Sequence, residues 1–137
     1  MTTNIASLPR GIRNNNPGNL RKNTDPWQGL AVPQADRDFF PFKSAIYGIR
    51  ALARTLIAYQ DEHGLRTIRQ IISRWAPASE NDTGAYINAV AKSAGFDADQ
   101  PLDMHRFDQL QPVVEAIIRH ENGQQPYTDA QIIKALV

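Results

Sequence analysis

Between Arg10 and Phe42 the chain places Gly11, Pro17, Gly18, Pro26, Gly29, Pro33 and Pro41, together with the polar run RNNNPGN. Proline has no N–H to donate and glycine has no side chain to pack, so no long helix or full-length strand can run through such a stretch. Turns remain, with room for short strands around GNLRK and WQGLAV, which predict a two- or three-stranded hairpin over residues 18–42. At Ser44 the pattern changes. Ile46, Ile49, Ala53, Leu56 and Ile57 recur at helical spacing and predict a helix of about 18 residues, ended by Gly64.

Four more helices follow by the same reading. One carries Ile68, Ile71, Ile72 and Trp75 and stops at Pro77. The next lies in SENDTGAYINAVAKSAG, with a capping region from Ser79 to Asp82, an apolar face of Tyr86, Ile87 and Val90, and Gly95 as its end. Leu110, Val113, Val114, Ile117 and Ile118 aim a further helix so that Glu121 falls in its last turn. TDAQIIKALV makes a terminal helix capped by Thr128 or Asp129. The expected fold class is mainly α (α+β), a helical domain with a small β-hairpin lobe. A chain of 137 residues suits one such domain, spanning 1–137.

Several chemistries are excluded by what the chain lacks. There is no cysteine, hence no disulfide and no thiol nucleophile. His63, His105 and His120 show no zinc-ligand spacing, and GLAVPQADRD is too poor in correctly spaced acids for a calcium loop, so no metal is expected. No nucleophile elbow or phosphate-binding glycine loop is present, and no cofactor is expected. No apolar run is long enough to cross a bilayer. MTTNIASLPRG lacks the charged start and apolar centre of a signal peptide, which suggests synthesis in the bacterial cytoplasm without a leader. Residues 1–74 carry a net charge of +6 and residues 75–137 one of −5. The basic residues are dispersed, so the two halves attract each other or face solvent, and nucleic acid is not expected as a partner. Acid–base work by carboxylates remains.

Three segments carry a family resemblance. EAIIRHENGQQPY resembles the end of the catalytic helix in lytic transglycosylases and related lysozyme-like enzymes. RNNNPGNLRK, then WQG and FFPFKSAIYGIRAL, resemble the substrate-cleft hairpin of the glucosaminidase-like members. RWAPASENDTGAYINAV is similar to the segment bearing a cleft-lining tyrosine. RGIRNNNPGN is also similar to the opening of a phage-associated muralytic family, and with RWAP..ENDT it is the most specific pair. In the usual lysozyme-like order the glutamate helix precedes the hairpin. Here it follows, so the resemblance implies a circularly permuted lysozyme-like domain, with its two ends near each other.

The resemblance implies Glu121 as the catalytic acid. Breaking a glycosidic bond requires a proton on the leaving oxygen, and a carboxylic acid supplies it from an apolar, partly desolvated setting. Glu121 follows Ile117 and Ile118, and the partial negative charge of a helix C-terminus also disfavours ionisation. Read without the resemblance, it is a solvated glutamate in a last helical turn, and Glu80 is the rival acid. A hydrolase needs a second carboxylate. Asp25, Asp36 and Asp38 lie in the hairpin lobe but in no recognisable motif. A transglycosylase needs none, because the sugar's own 6-hydroxyl attacks.

The expected substrate-binding residues are Tyr86, Asn15, Asn16, Asn19, Trp27 and Glu80. Each has a structural reading beside the functional one. Asn14, Asn15, Asn16 and Asn19 can hydrogen-bond sugar hydroxyls or cap turns around Pro17 and Gly18. Trp27 can stack on a sugar or plug the core. Tyr86 can bind an N-acetyl group or pack. Glu80 and Asp82 can bind substrate or cap a helix. Glu121, Tyr86 and parts of residues 14–21 should share one groove.

The function expected from these readings is cleavage of the glycan backbone of bacterial peptidoglycan, most simply as a lytic transglycosylase acting in the periplasm or cell wall, in association with a virion or a secretion apparatus. The alternatives are a peptidoglycan endopeptidase on the same fold and a non-catalytic virion or cell-wall-binding protein.

Overall fold

A computed structural model describes residues 8–137. The leaderless reading of MTTNIAS, residues 1–7, lies outside the described residues. The described residues form six helices: α1 (Arg10–Arg13), α2 (Ala45–His63), α3 (Ile68–Trp75), α4 (Thr83–Ala94), α5 (Phe107–Asn122) and α6 (Asp129–Leu136).

Local chemistry sets their limits. Gly64 ends α2 in the left-handed conformation at φ 66°, with the Leu65 N–H returning to the Tyr59 carbonyl. Thr67 and Gln70 form a reciprocal capping box on α3, and Thr128 with Gln131 does the same for α6. Asp82 caps α4 by accepting from the Ala85 N–H.

The core is the sum of the apolar faces. Ile49, Leu52 and Leu56 of α2, Ile68, Ile71 and Ile72 of α3, Val90 of α4, and Val113, Val114, Ile117 and Ile118 of α5 have no exposed surface. α5 packs most extensively on α4, and α2 on α6. Complete burial of Ile117 and Ile118 stabilises the last turns of α5 by about 2 kcal/mol per side chain. The end of the helix that carries Glu121 is therefore fixed.

The expected hairpin lobe is not formed. Among the described residues, 18–42 make no strand, only the isolated antiparallel bridges Arg21↔Phe39 and Leu30↔Phe42. The segment around residues 38–43 lies between the two others. On one side the Lys22 N–H donates to Asp38 O and the Phe40 N–H to Leu20 O; on the other the Ala31 N–H donates to Pro41 O and the Lys43 N–H to Gly29 O. Pro26, Pro33 and Pro41 cannot donate to a ladder, and Gly29 at φ 78° turns the chain out of extended geometry. Pairing breaks off after one bridge at each place. Phe40 and Phe42 are buried with Ala51 as a second small core, against which Leu20, Trp27 and Leu30 pack.

Two contacts fasten this irregular segment to the helices. The Asn15 carbonyl lies directly on Gly48 of α2, where any Cβ would overlap it. Gly48→Ala should cost about 2 kcal/mol in denaturant unfolding, because the overlap outweighs the ~1 kcal/mol gain in helix propensity. An unchanged unfolding midpoint would mean that the loop does not bear on α2.

The second fastening is the bidentate pair from Arg10 to Asp36, at 2.7 and 2.6 Å. Asp36 also accepts from Asn14 Nδ2 and from the N–H groups of Asp38 and Phe39. Chiefly through the Arg10 guanidinium, its carboxyl is held well below the usual carboxylate range. A depressed carboxylate contributes stability that is complete above its unfolded pKa of about 3.9 and is lost as the pH falls toward its folded value. Thermal melts from pH 7 to pH 2 should therefore fall on the acid side of about pH 4, and Asp36→Asn should flatten that limb while lowering the melting point at neutral pH. A variant whose acid limb stayed as steep as the wild type's would refute this.

Candidate functional site

Glu121 occupies the last turn of α5, one residue before Asn122 and two before Gly123, which caps the helix at φ 71°. Both carboxylate oxygens are held. Oε1 accepts from Asn19 Nδ2 at 2.9 Å, and Oε2 accepts from the Tyr86 hydroxyl at 2.7 Å. Three separate stretches of sequence thus meet on one side chain.

Each partner is positioned by its own surroundings. Asn19 sits at φ 52°, a left-handed conformation that asparagine tolerates better than most residues. The loop before it is tied to α5, because buried Asn122 donates from Nδ2 to the Pro17 carbonyl at 2.8 Å. Around Gly11 the approach is tighter still: a Cβ would lie 2.7 Å from both Asn122 Oδ1 and Asn19 Oδ1. Tyr86 is buried on α4, at 2% exposure, with the His120 ring 3.8 Å from its own. Burial, and then the adjacent Glu121 charge, push the Tyr86 hydroxyl far above its ordinary pKa. It stays protonated and remains a donor to Glu121.

Glu121 faces a cleft of about 370 Å³. Asn19, Arg21 and Trp27 line it from the N-terminal segment, and Trp75 and Glu80 from the end of α3 and the α3–α4 loop. Arg21 and Glu80 approach to 3.6 Å. Both are exposed, so the ion pair contributes little energy, but it joins the two segments across the cleft.

The expected site residues divide. Glu121, Asn19, Trp27 and Glu80 line the cleft. Tyr86 lies behind Glu121 and reaches it without being part of the cleft wall. Asn15 and Asn16 do not line it. Asn15 donates from Nδ2 to the Phe42 carbonyl. Asn16 is 0% exposed and bonded to Leu20 and Phe40, so no sugar can reach it. Of Glu80 and Asp82, only Asp82 caps α4. Sequence reasoning placed parts of residues 14–21 at the groove, which Gly18 to Arg21 meet, but missed Thr55, Tyr59 and Trp75 as cleft residues. Thr55 and Tyr59 stand four apart on α2, a spacing that puts them on one stripe. That stripe borders the apolar face and was hidden by it.

Among the described residues, no group of three His, Asp or Glu side chains is placed to hold a metal ion. No described helix is long and apolar enough to cross a membrane.

Fold and site together define a mainly helical protein that holds one carboxylate, through two side-chain donors, at an open cleft. No family model matches the chain. It is 43% identical over 136 residues to Protein P5 of Pseudoalteromonas phage PM2, an alignment covering 96% of this chain and 82% of the phage protein. The chain belongs to the family of that phage protein.

Proposed function

We propose that this protein cleaves the glycan backbone of bacterial peptidoglycan, with Glu121 as the acid that protonates the leaving oxygen, on a circularly permuted lysozyme-like domain. The observation that carries the reading is the clamped carboxylate: Asn19 and Tyr86 fix both oxygens of Glu121 where the cleft opens. A general acid must be held within hydrogen-bond reach of the bond it serves. The two donors orient it, and the anchored end of α5 keeps it there. The close approach of the N-terminal loop to the end of α5, through Asn122 and Pro17, is what a permuted domain requires. Kinship with a phage protein suits an enzyme that opens a bacterial cell wall.

Trp27 and Trp75 give the cleft aromatic surface for sugar faces, and Asn19, Arg21 and Asn81 give it polar groups for hydroxyls and N-acetyl groups. In the transglycosylase reading, Glu121 gives its proton to the leaving oxygen and then takes one from the sugar's 6-hydroxyl as that oxygen attacks. Asp25 and Glu80 also line the cleft, and they favour hydrolysis as the second reading, because a water-activating base would then be at hand. Mass spectrometry of digested peptidoglycan separates the outcomes. Anhydro-muropeptides are the expected product. Reducing-end saccharides would mean hydrolysis, cut stem peptides an endopeptidase, and an undigested substrate a non-catalytic protein.

A further inference from the structure

A second pocket, of about 420 Å³, opens beside the cleft and shares Asp25, Trp27, Thr55 and Tyr59 with it as common wall. It is also lined by Arg54 and Arg74, neither of which lines the first cleft. Several of the molecule's other arginines hold a carboxylate: Arg10 pairs with Asp36, Arg69 with Asp99 and Arg106 with Asp108. Arg54 and Arg74 form no ion pair among the described residues, although Glu62 and Asp25 line the same pocket. Arg74 lies over the Tyr59 ring at 5.3 Å, which holds its guanidinium at the pocket wall.

We propose that this pocket binds the carboxylate-bearing peptide branch of the glycan strand whose backbone lies in the adjoining cleft. The proposal rests on the peptidoglycan-cleaving reading. A bare amino-sugar polymer has no use for two guanidiniums. The stem peptide carries carboxylates, which guanidinium binds in bidentate fashion, and also a free amine. Glu62 and Asp25 supply anionic partners for that amine, while Pro26 and Ala58 supply apolar surface for the peptide's methyl and methylene groups. Because the wall is shared, a branch leaving a sugar in the cleft passes Trp27 and Tyr59 directly into the pocket.

The test uses the full chain and the double variant Arg54→Gln/Arg74→Gln, both sites being exposed. Cleavage is compared on intact peptidoglycan and on strands stripped of peptide by an amidase, whose newly freed lactyl carboxylates are then capped as amides. The wild type should favour the peptide-bearing strands by at least about fivefold in kcat/KM, and the double variant should erase that preference while cleaving stripped strands at the wild-type rate. Separately, the tripeptide L-alanyl-γ-D-glutamyl-meso-diaminopimelate is titrated into Glu121→Gln by NMR. The two arginine substitutions should weaken its binding about tenfold. Equal wild-type rates on both substrates, or tripeptide binding indifferent to the arginines, would overturn the pocket and leave glycan cleavage standing. No cleavage by the wild type, with tripeptide binding that still depends on both arginines, would overturn the catalytic reading and keep the pocket.

Discussion

Glu121→Gln is expected to lose at least ~100-fold of the activity on purified peptidoglycan, the share that a positioned general acid supplies. The substitution keeps the shape of the side chain and removes the proton it can transfer. It should also leave the fold nearly intact. The glutamine oxygen can still accept from Asn19 Nδ2, and its amide can donate to the Tyr86 hydroxyl, which turns to accept. The exchange of two charge-assisted bonds for neutral ones costs about 1–2 kcal/mol, several degrees in melting temperature for a chain of this size. Loss of activity with a near-native melt therefore reports chemistry and not unfolding. Glu80→Gln is the control. It breaks an exposed 3.6 Å pair with Arg21, and partial activity should survive. Normal activity in Glu121→Gln with none in Glu80→Gln would move the acid to the SENDT loop, and the permuted alignment would fail.

The helices were legible because their signals are local. The apolar stripe of α5 and the glycine at its end are both visible within seventeen residues, and together they put Glu121 in a last turn. Gly64, Gly95 and Asp82 mark their helix ends by the same short-range chemistry. The hairpin was not legible in the same way. GNLRK and WQGLAV have the composition of strands, but the ladder depends on what pairs with them, and the segment around residues 38–43, with Pro41 in its middle and the Phe42 N–H turned to the Asn14 carbonyl, offers too few donors in register. Nor could the sequence show that Arg10 meets Asp36, 26 positions away. The cleft's wall of Thr55, Tyr59 and Trp75 went unseen for a related reason: periodicity identifies the buried face of a helix, not the residues at its border.

The asparagines show the limit most plainly, since four of them stand within six positions and carry the same amide. Only the tertiary setting divides them. Asn19 faces Glu121 and the cleft. Asn16, three residues earlier, is completely buried and serves as a substitute for backbone pairing. Its Nδ2 donates to the carbonyls of Leu20 and Phe40, at 3.0 and 2.9 Å, and its Oδ1 accepts from the Leu20 N–H at 3.0 Å. Asn16→Ala would remove three hydrogen bonds in the place where the bridges of residues 20–22 and 38–43 begin, stranding the Phe40 carbonyl and the Leu20 N–H and leaving the Leu20 carbonyl with the Phe40 N–H alone. At about 1–1.5 kcal/mol for each lost bond, the expected cost is about 3–5 kcal/mol, a fall of roughly 10–20 °C in melting temperature. Activity should fall with it, because the loop that Asn16 ties down ends at Asn19, and Asn19 orients the acid. A sugar-binding role predicts the opposite pattern, a raised KM with an unchanged melt. Asn19→Ala supplies the contrast: its site is half-buried, so the melt should move by only about 1 kcal/mol while cleavage drops through misorientation of Glu121. If Asn16→Ala melted like the wild type and lost only substrate affinity, the division between the two asparagines would be refuted.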